Sequence, residues 1–160
     1  MSSLKQDFDE LVARIKFGRE LQHASFEPIF YLVFSPKQII EVKYQIKPWK
    51  QMLEKQGWNV HIFSIAEHVN DILNSVPAFR RKLWLEQDAA APHEWEKANN
   101  SLANTLEDPE KGLQKRLGKK LTDLECDEKA LLIVTDLEAL HPYMRIGSIE
   151  SQLQGRFKRP

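Results

Sequence analysis

Apolar residues recur along this chain in two alternating rhythms, one helical and one extended. Leu4, Phe8, Leu11 and Ile15 fall at helical spacing. Ser3 precedes them and Gln6 follows three positions later, the pattern of a capping box. Gly18 is a natural end for this first helix, because glycine tolerates the left-handed cap conformation. His23 to Pro28 then reads as a connecting loop. Ile29-Phe30-Tyr31-Leu32-Val33-Phe34 is an unbroken apolar run between Pro28 and Ser35-Pro36, as expected of a strand covered on both faces. Ser35, Pro36 and Gln38 start a helix with the stripe Ile39, Val42, Ile46, Trp49 and Leu53. Pro48 lies inside that stripe and predicts a kink, and Gly57 closes it. Trp58 to Ile65 reads as a second strand. Ser64 and Glu67 then open a helix through Val69, Ile72, Leu73 and Val76.

The stretch from Pro77 to Leu124 is helical throughout, interrupted at Pro92 and Pro109. Phe79 and Leu83 mark one segment, Trp95, Leu102 and Leu106 the next, and Leu113, Leu117, Leu121 and Leu124 the last. Ala130 to Val134, followed by Thr135-Asp136, reads as another strand, and Pro142 as the opening of a final helix through Leu153. Alternation of strand and helix predicts an α/β fold with a parallel sheet and right-handed crossovers. The expected architecture is one domain over residues 1–160, with about three parallel strands and a helical insertion at 77–124 before the last of them. Its topology would be Rossmann-like or P-loop-like, without the P-loop itself.

Composition narrows the classes. Lysine plus arginine and aspartate plus glutamate each number 23, so the formal net charge is zero. That balance removes the expectation of a strongly basic nucleic-acid binder. A single cysteine, Cys126, forms no internal disulfide and suits a reducing compartment. It lies among acidic residues that disfavour its thiolate, which argues for a structural role. The N-terminus lacks a signal-peptide core, and no apolar run approaches the roughly 20 residues of a membrane-spanning helix. A cytoplasmic protein away from membranes is expected.

Candidate chemistry is sparse. A phosphate-cradling loop needs glycines after the first strand, but Ser35-Pro36-Lys37-Gln38 has none and Pro36 deletes an amide. No cofactor is expected. Leu131 to Asp136 resembles a Walker B strand, although an aspartate at a strand end more often serves a turn or cap. None of the five histidines (His23, His61, His68, His93 and His141) stands at metal-ligand spacing, so no metal centre is expected. Ser35, Ser64 and Asp136 lie at predicted strand carboxyl ends, where open α/β sheets bind ligands. His141, Pro142 and Arg145 follow closely, and Arg145 has the chemistry to pair with Asp136 or with a partner carboxylate. Lys111, Lys115 and Lys119 form a basic row suited to phosphates, for which a solvated helix face is the plainer reading. Arg80-Arg81-Lys82 and the tail residues Arg156, Lys158 and Arg159 add positive charge. Trp49 is expected in the core. Trp84 is a candidate anchor if exposed, with burial against the helical insertion the stronger expectation.

Two stretches resemble one family. Pro28 to Pro36 with Glu41-Val42, and His141-Pro142-Tyr143-Met144-Arg145-Ile146-Gly147-Ser148-Ile149-Glu150-Ser151-Gln152-Leu153, are similar to the BrxB family of BREX bacteriophage-exclusion systems. The opening helix around Phe8-Asp9-Glu10-Leu11 resembles it as well. The resemblance implies a small cytoplasmic component without catalytic residues. Its partners would be other BREX proteins, chiefly a PglZ-type protein and also the BREX ATPase, with nucleic acid reached only through them. Family members are expected to continue past the last helix into another strand, whereas this chain ends at Pro160.

Three readings follow. The first is a non-catalytic adaptor of phage defence. The second is a degenerate nucleotide-binding or metal-dependent nuclease-like enzyme centred on Asp136, with His141 and Arg145. The third is a DNA-binding accessory using the basic helix at 111–120.

Overall fold

In the computed structural model the first helix begins where its cap stands in the sequence. The structure describes residues 3–21 and 27–160. Ser3 and Gln6 exchange the two capping-box hydrogen bonds, at 2.9 and 3.3 Å. Helix α1 (Leu4–Leu21) buries Leu4, Phe8, Val12 and Ile15, while Leu11 is half-buried at the flank. It runs on past Gly18, which is not its end as the sequence suggested. The good helix formers that follow outweigh the roughly 1 kcal/mol that an internal glycine costs. The loop expected from His23 lies, up to residue 26, outside the described residues.

The chain divides into two compact units. The first comprises Met1–His61, Leu124–Leu132 and Phe157–Pro160; the second comprises Ile62–Asp123 and Ile133–Arg156.

In the first unit, residues 29–34 join no sheet ladder. Phe30, Leu32 and Phe34 are half-buried, whereas Tyr31 and Val33 are 50% and 81% exposed. An apolar run signals a fully covered strand only when other elements cover both faces, and one face here is open. Ser35 caps a single 3-10 turn (Pro36–Gln38), with Gln38 completing the box, and α2 (Ile39–Lys55) follows. The helix continues through Pro48. Trp49 of α2 stacks on Phe8 with ring centroids 4.1 Å apart and planes 6° from parallel, and Leu53 is buried beside this stripe. The basic tail is used internally. The Arg159 guanidinium donates twice to the Glu125 carbonyl, at 3.2 and 3.1 Å, and Leu132 N–H donates to the Pro160 carbonyl at 2.8 Å.

Among the described residues the sheet has two parallel strands, β1 (Asn59–Ser64) and β2 (Ala130–Thr135), where about three were expected. The protein is thus α/β with a small parallel sheet and is dominated by helix. Val60 and Phe63 of β1, and Ala130 and Leu131 of β2, are buried.

In the second unit, Ser64 Oγ accepts Glu67 N–H at 3.2 Å and opens α3 (Ile65–Ser75), which buries Ile65, Val69 and Ile72. The expected helical stretch appears as α4 (Ala78–Ala90), a 3-10 turn at Pro92–Glu94, α5 (Trp95–Leu106) and α6 (Leu113–Leu124). Helix α5 packs on α3 and α4, and α3 also packs on the 3-10 turn Leu137–Leu140. Trp84 is buried, and its Nε1–H donates to Ser101 Oγ at 2.8 Å, which satisfies the indole's one donor. The final helix, α7 (Ile146–Gln152), starts after a turn holding a cis His141–Pro142 bond. Pro142 therefore precedes the helix instead of opening it. Arg156 reaches back to α6 and donates to the Gly118 carbonyl at 2.9 Å and to Thr122 Oγ1 at 2.7 Å.

Helix α6 starts later than the sequence suggested. The Asp108 carboxylate accepts the main-chain N–H groups of Glu110 and Lys111, both at 2.9 Å, and so favours a turn there. Gly112 closes that turn. A Cβ on it would lie 2.4 Å from the carbonyl oxygens of both Asp108 and Leu106. Because those oxygens are backbone, they cannot swing aside. Gly112→Ala is accordingly expected to destabilise the protein by about 1–3 kcal/mol, the range for forced overpacking, read as a lower midpoint of urea unfolding.

Candidate functional site

The two strands end in the same chemistry. Ser64 terminates β1, and Thr135 terminates β2 with Asp136 next in the chain. Asp136 Oδ2 accepts the Ser64 hydroxyl at 2.6 Å and the Thr135 hydroxyl at 3.0 Å. Thr135 is buried and Asp136 partly so. Asp136 adopts φ 60° and ψ 38°, the left-handed region that asparagine and aspartate enter most readily after glycine. This backbone turn swings the chain out of β2 into Leu137–Leu140, whose Leu140 is buried. Ser64 does two jobs at once. It accepts from Glu67 N–H as the cap of α3, and its proton goes to Asp136. The carboxylate thus fastens the end of β1 and the start of α3 to the end of β2.

The other residues singled out at this end are arranged separately. His141 and Arg145 are exposed. The Arg145 guanidinium makes no ion pair with Asp136. Its main chain forms the N-cap of α7, where its carbonyl accepts Ser148 N–H and Oγ–H at 3.1 and 2.6 Å. Among the described residues, no three His, Cys, Asp or Glu side chains converge as a metal site would require.

The basic row is shorter than expected. Lys111 lies in the turn before α6, leaving Lys115 and Lys119 on the helix, both exposed. Lys115 Nζ is 3.9 Å from the Glu110 carboxylate. Arg116 points elsewhere, with Nη1 3.7 Å from Asp71 and 3.5 Å from His68 Nδ1.

His68 is a feature that the sequence reading missed. Its ring stacks on Phe63, with centroids 3.9 Å apart and planes 22° from parallel. Burial lowers its pKa from the ordinary 6.5 and the Arg116 charge adds to this, opposed by Asp71 and Glu67. A neutral imidazole also leaves Nδ1 free to accept from Arg116. The Ser64/Glu67 box was the available signal, since it places His68 on the first turn of α3 beside the end of β1. With a lowered folded pKa, the unfolded chain binds the extra proton first. Stability is then complete above pH 6.5 and falls as pH drops through 6.5 toward the folded pKa. Chemical unfolding across pH 5–8 should show this loss, and His68→Gln should flatten the profile in that window.

Comparison of the chain with protein-family models, with curated proteins and with solved structures finds no match.

Proposed function

We propose that this protein is a non-catalytic adaptor of a BREX-type anti-phage system, working in the cytoplasm by docking other components of that system. The observation that carries the reading is the outer side of the helical stretch. On α4, Phe79 and Leu85 are 74% and 72% exposed and Leu83 is 49% exposed. Trp95, at the start of α5, is 54% exposed. Large apolar side chains gathered on one short stretch mark a surface that gains by being covered. Aromatic residues are the usual anchors of such interfaces. The resemblance of residues 28–36 and 141–153 to BrxB proteins points to a PglZ-type protein as the partner, with the BREX ATPase second. Among the described residues no helix is long and apolar enough to cross a membrane, which agrees with this setting. The Rossmann-like plan of about three strands belongs to the same reading, with Ile29 to Phe34 the segment that has the composition of the third strand.

The test is co-purification with a PglZ-type protein. Phe79→Glu combined with Leu83→Glu is expected to weaken capture at least about 30-fold, since losing two interface anchors exceeds about 2 kcal/mol, and to leave the melting temperature within a degree or two of wild type. Wild-type failure to bind at micromolar concentration would sink the adaptor reading. A melting temperature raised by ATP or Mg²⁺, and no longer raised in Asp136→Ala, would replace it with the nucleotide- or metal-dependent one. Affinity for DNA that falls steeply with salt, and falls further in Lys115→Ala/Lys119→Ala, would favour the accessory role of the basic helix.

A further inference from the structure

We propose that helix α4 pairs antiparallel with α4 of a second copy of this chain about a two-fold axis beside Trp84, each Phe79 entering a cavity at the end of the partner's α4. Phe79, Lys82, Leu83, Glu86 and Ala90 stand at i, i+3, i+4, i+7 and i+11, so they share one side of the helix. All five are exposed, whereas Trp84, five positions after Phe79, is buried on the other side. Side chains shrink toward the end of this helix, where Ala89, Ala90 and Ala91 follow Asp88. There α4 and α5 border a cavity of about 200 Å³, lined by Ala90, Ala91 and Ala98 with Gln87, Glu94 and Lys97. The three alanines give it an apolar wall that suits a phenyl ring. Phe79 is 74% exposed but cannot reach the cavity of its own copy, since the 11 residues to Ala90 span about 16 Å of helix axis. An antiparallel second copy brings the two together. Charge fixes the register. With the axis beside Trp84, Lys82 stands level with the partner's Glu86 and Glu86 with the partner's Lys82, two opposite-charge pairs that a parallel arrangement would turn into like-charge ones. The same register sets Phe79 level with the partner's Ala89, next to the cavity, and brings the two Leu83 side chains together beside the axis. Each copy gives one Phe79 and receives one, so the contact is isologous and closes as a dimer. One helix from each copy makes a small interface, and the dimer therefore exchanges readily. This pairing goes beyond the adaptor reading: a second copy covers, in the free protein, the face that another protein would take from it.

Sedimentation equilibrium of the whole chain alone, under reducing conditions that keep Cys126 out of the assembly, tests this separately from any heterologous partner. The expected result is a mass that rises from monomer to dimer with concentration. Phe79→Ala empties both cavities and should weaken dimerisation at least about tenfold. Leu85→Ala removes a side chain that is 72% exposed but stands about 120° away around α4, and should leave it unchanged. Lys82→Glu and Glu86→Lys each set like charges against one another twice and should weaken self-association about three- to tenfold. Mixed in equal amounts, these two variants form a heterodimer in which both facing pairs are again opposite in sign, and the mixture should dimerise as tightly as wild type. An effect confined to the Lys82–Glu86 pair within one helix would not recover on mixing. All four substitutions fall on exposed side chains, and far-ultraviolet circular dichroism equal to wild type verifies the fold. A monomer at every concentration up to the millimolar range would overturn the proposal. So would equal weakening by Phe79→Ala and Leu85→Ala, or a mixture that dimerises no better than its two components.

Discussion

Leu106→Ala should lower the unfolding free energy by about 2–5 kcal/mol, the largest single effect expected in this molecule. Leu106 ends α5 and is 0% exposed, in a unit whose other fully buried side chains include Ile65, Leu113 and Leu153. Truncation removes three carbon atoms from water-free packing, and helices α3 and α4, both packed on α5, cannot collapse freely into the space. Leu85→Ala is the matched control. The chemistry removed is the same, but Leu85 is 72% exposed, so its cost should stay within about 0.5 kcal/mol. Urea titration of the two variants decides the matter. Equal midpoints would mean that Leu106 is not in a packed core.

Asp136→Ala should cost about 3 kcal/mol. Two terms add. Removing the carboxylate strands the Ser64 and Thr135 hydroxyls, at about 1–3 kcal/mol for a buried group left unsatisfied. Placing alanine at φ 60° adds about 1 kcal/mol, because its Cβ crowds the following carbonyl. Asp136→Asn separates the two terms. Asparagine tolerates the left-handed backbone and its side-chain oxygen still accepts, so the loss should fall to about 1 kcal/mol. Ser64→Ala should resemble the alanine variant at the latch while also removing the α3 cap, itself worth about 1 kcal/mol. If Asp136→Ala unfolds at the wild-type denaturant midpoint, the carboxylate does not fasten the strand ends.

The candidate site was half legible. Asp136 and Ser64 drew notice because both stand at the ends of apolar runs, where backbone direction changes and polar side chains gather. That they meet is a matter of register between strands whose starts lie 71 residues apart, and no local pattern encodes it. Arg145 was a reasonable partner for Asp136 on charge alone. Two hydroxyls hold that carboxylate in its place, and the arginine stays in water, where a guanidinium is well solvated. His68 stood out only as one of five histidines away from metal-ligand spacing, because its lowered pKa comes from burial and from the Arg116 charge, both brought to it by folding.

What the sequence determined by itself is local. Ser3/Gln6 and Ser35/Gln38 set two helix starts by a cap and its reciprocal bond, and Ser64 sets a third by its cap alone, each within four residues. The leucine stripe of α6 and the apolar face of α3 follow from a 3.6-residue period in the same way. Tertiary structure alone decided which apolar runs became sheet. A strand is completed by hydrogen bonds to a neighbour distant in the chain, so Asn59–Ser64 and Ala130–Thr135 found each other while Ile29 to Phe34, equally apolar, did not.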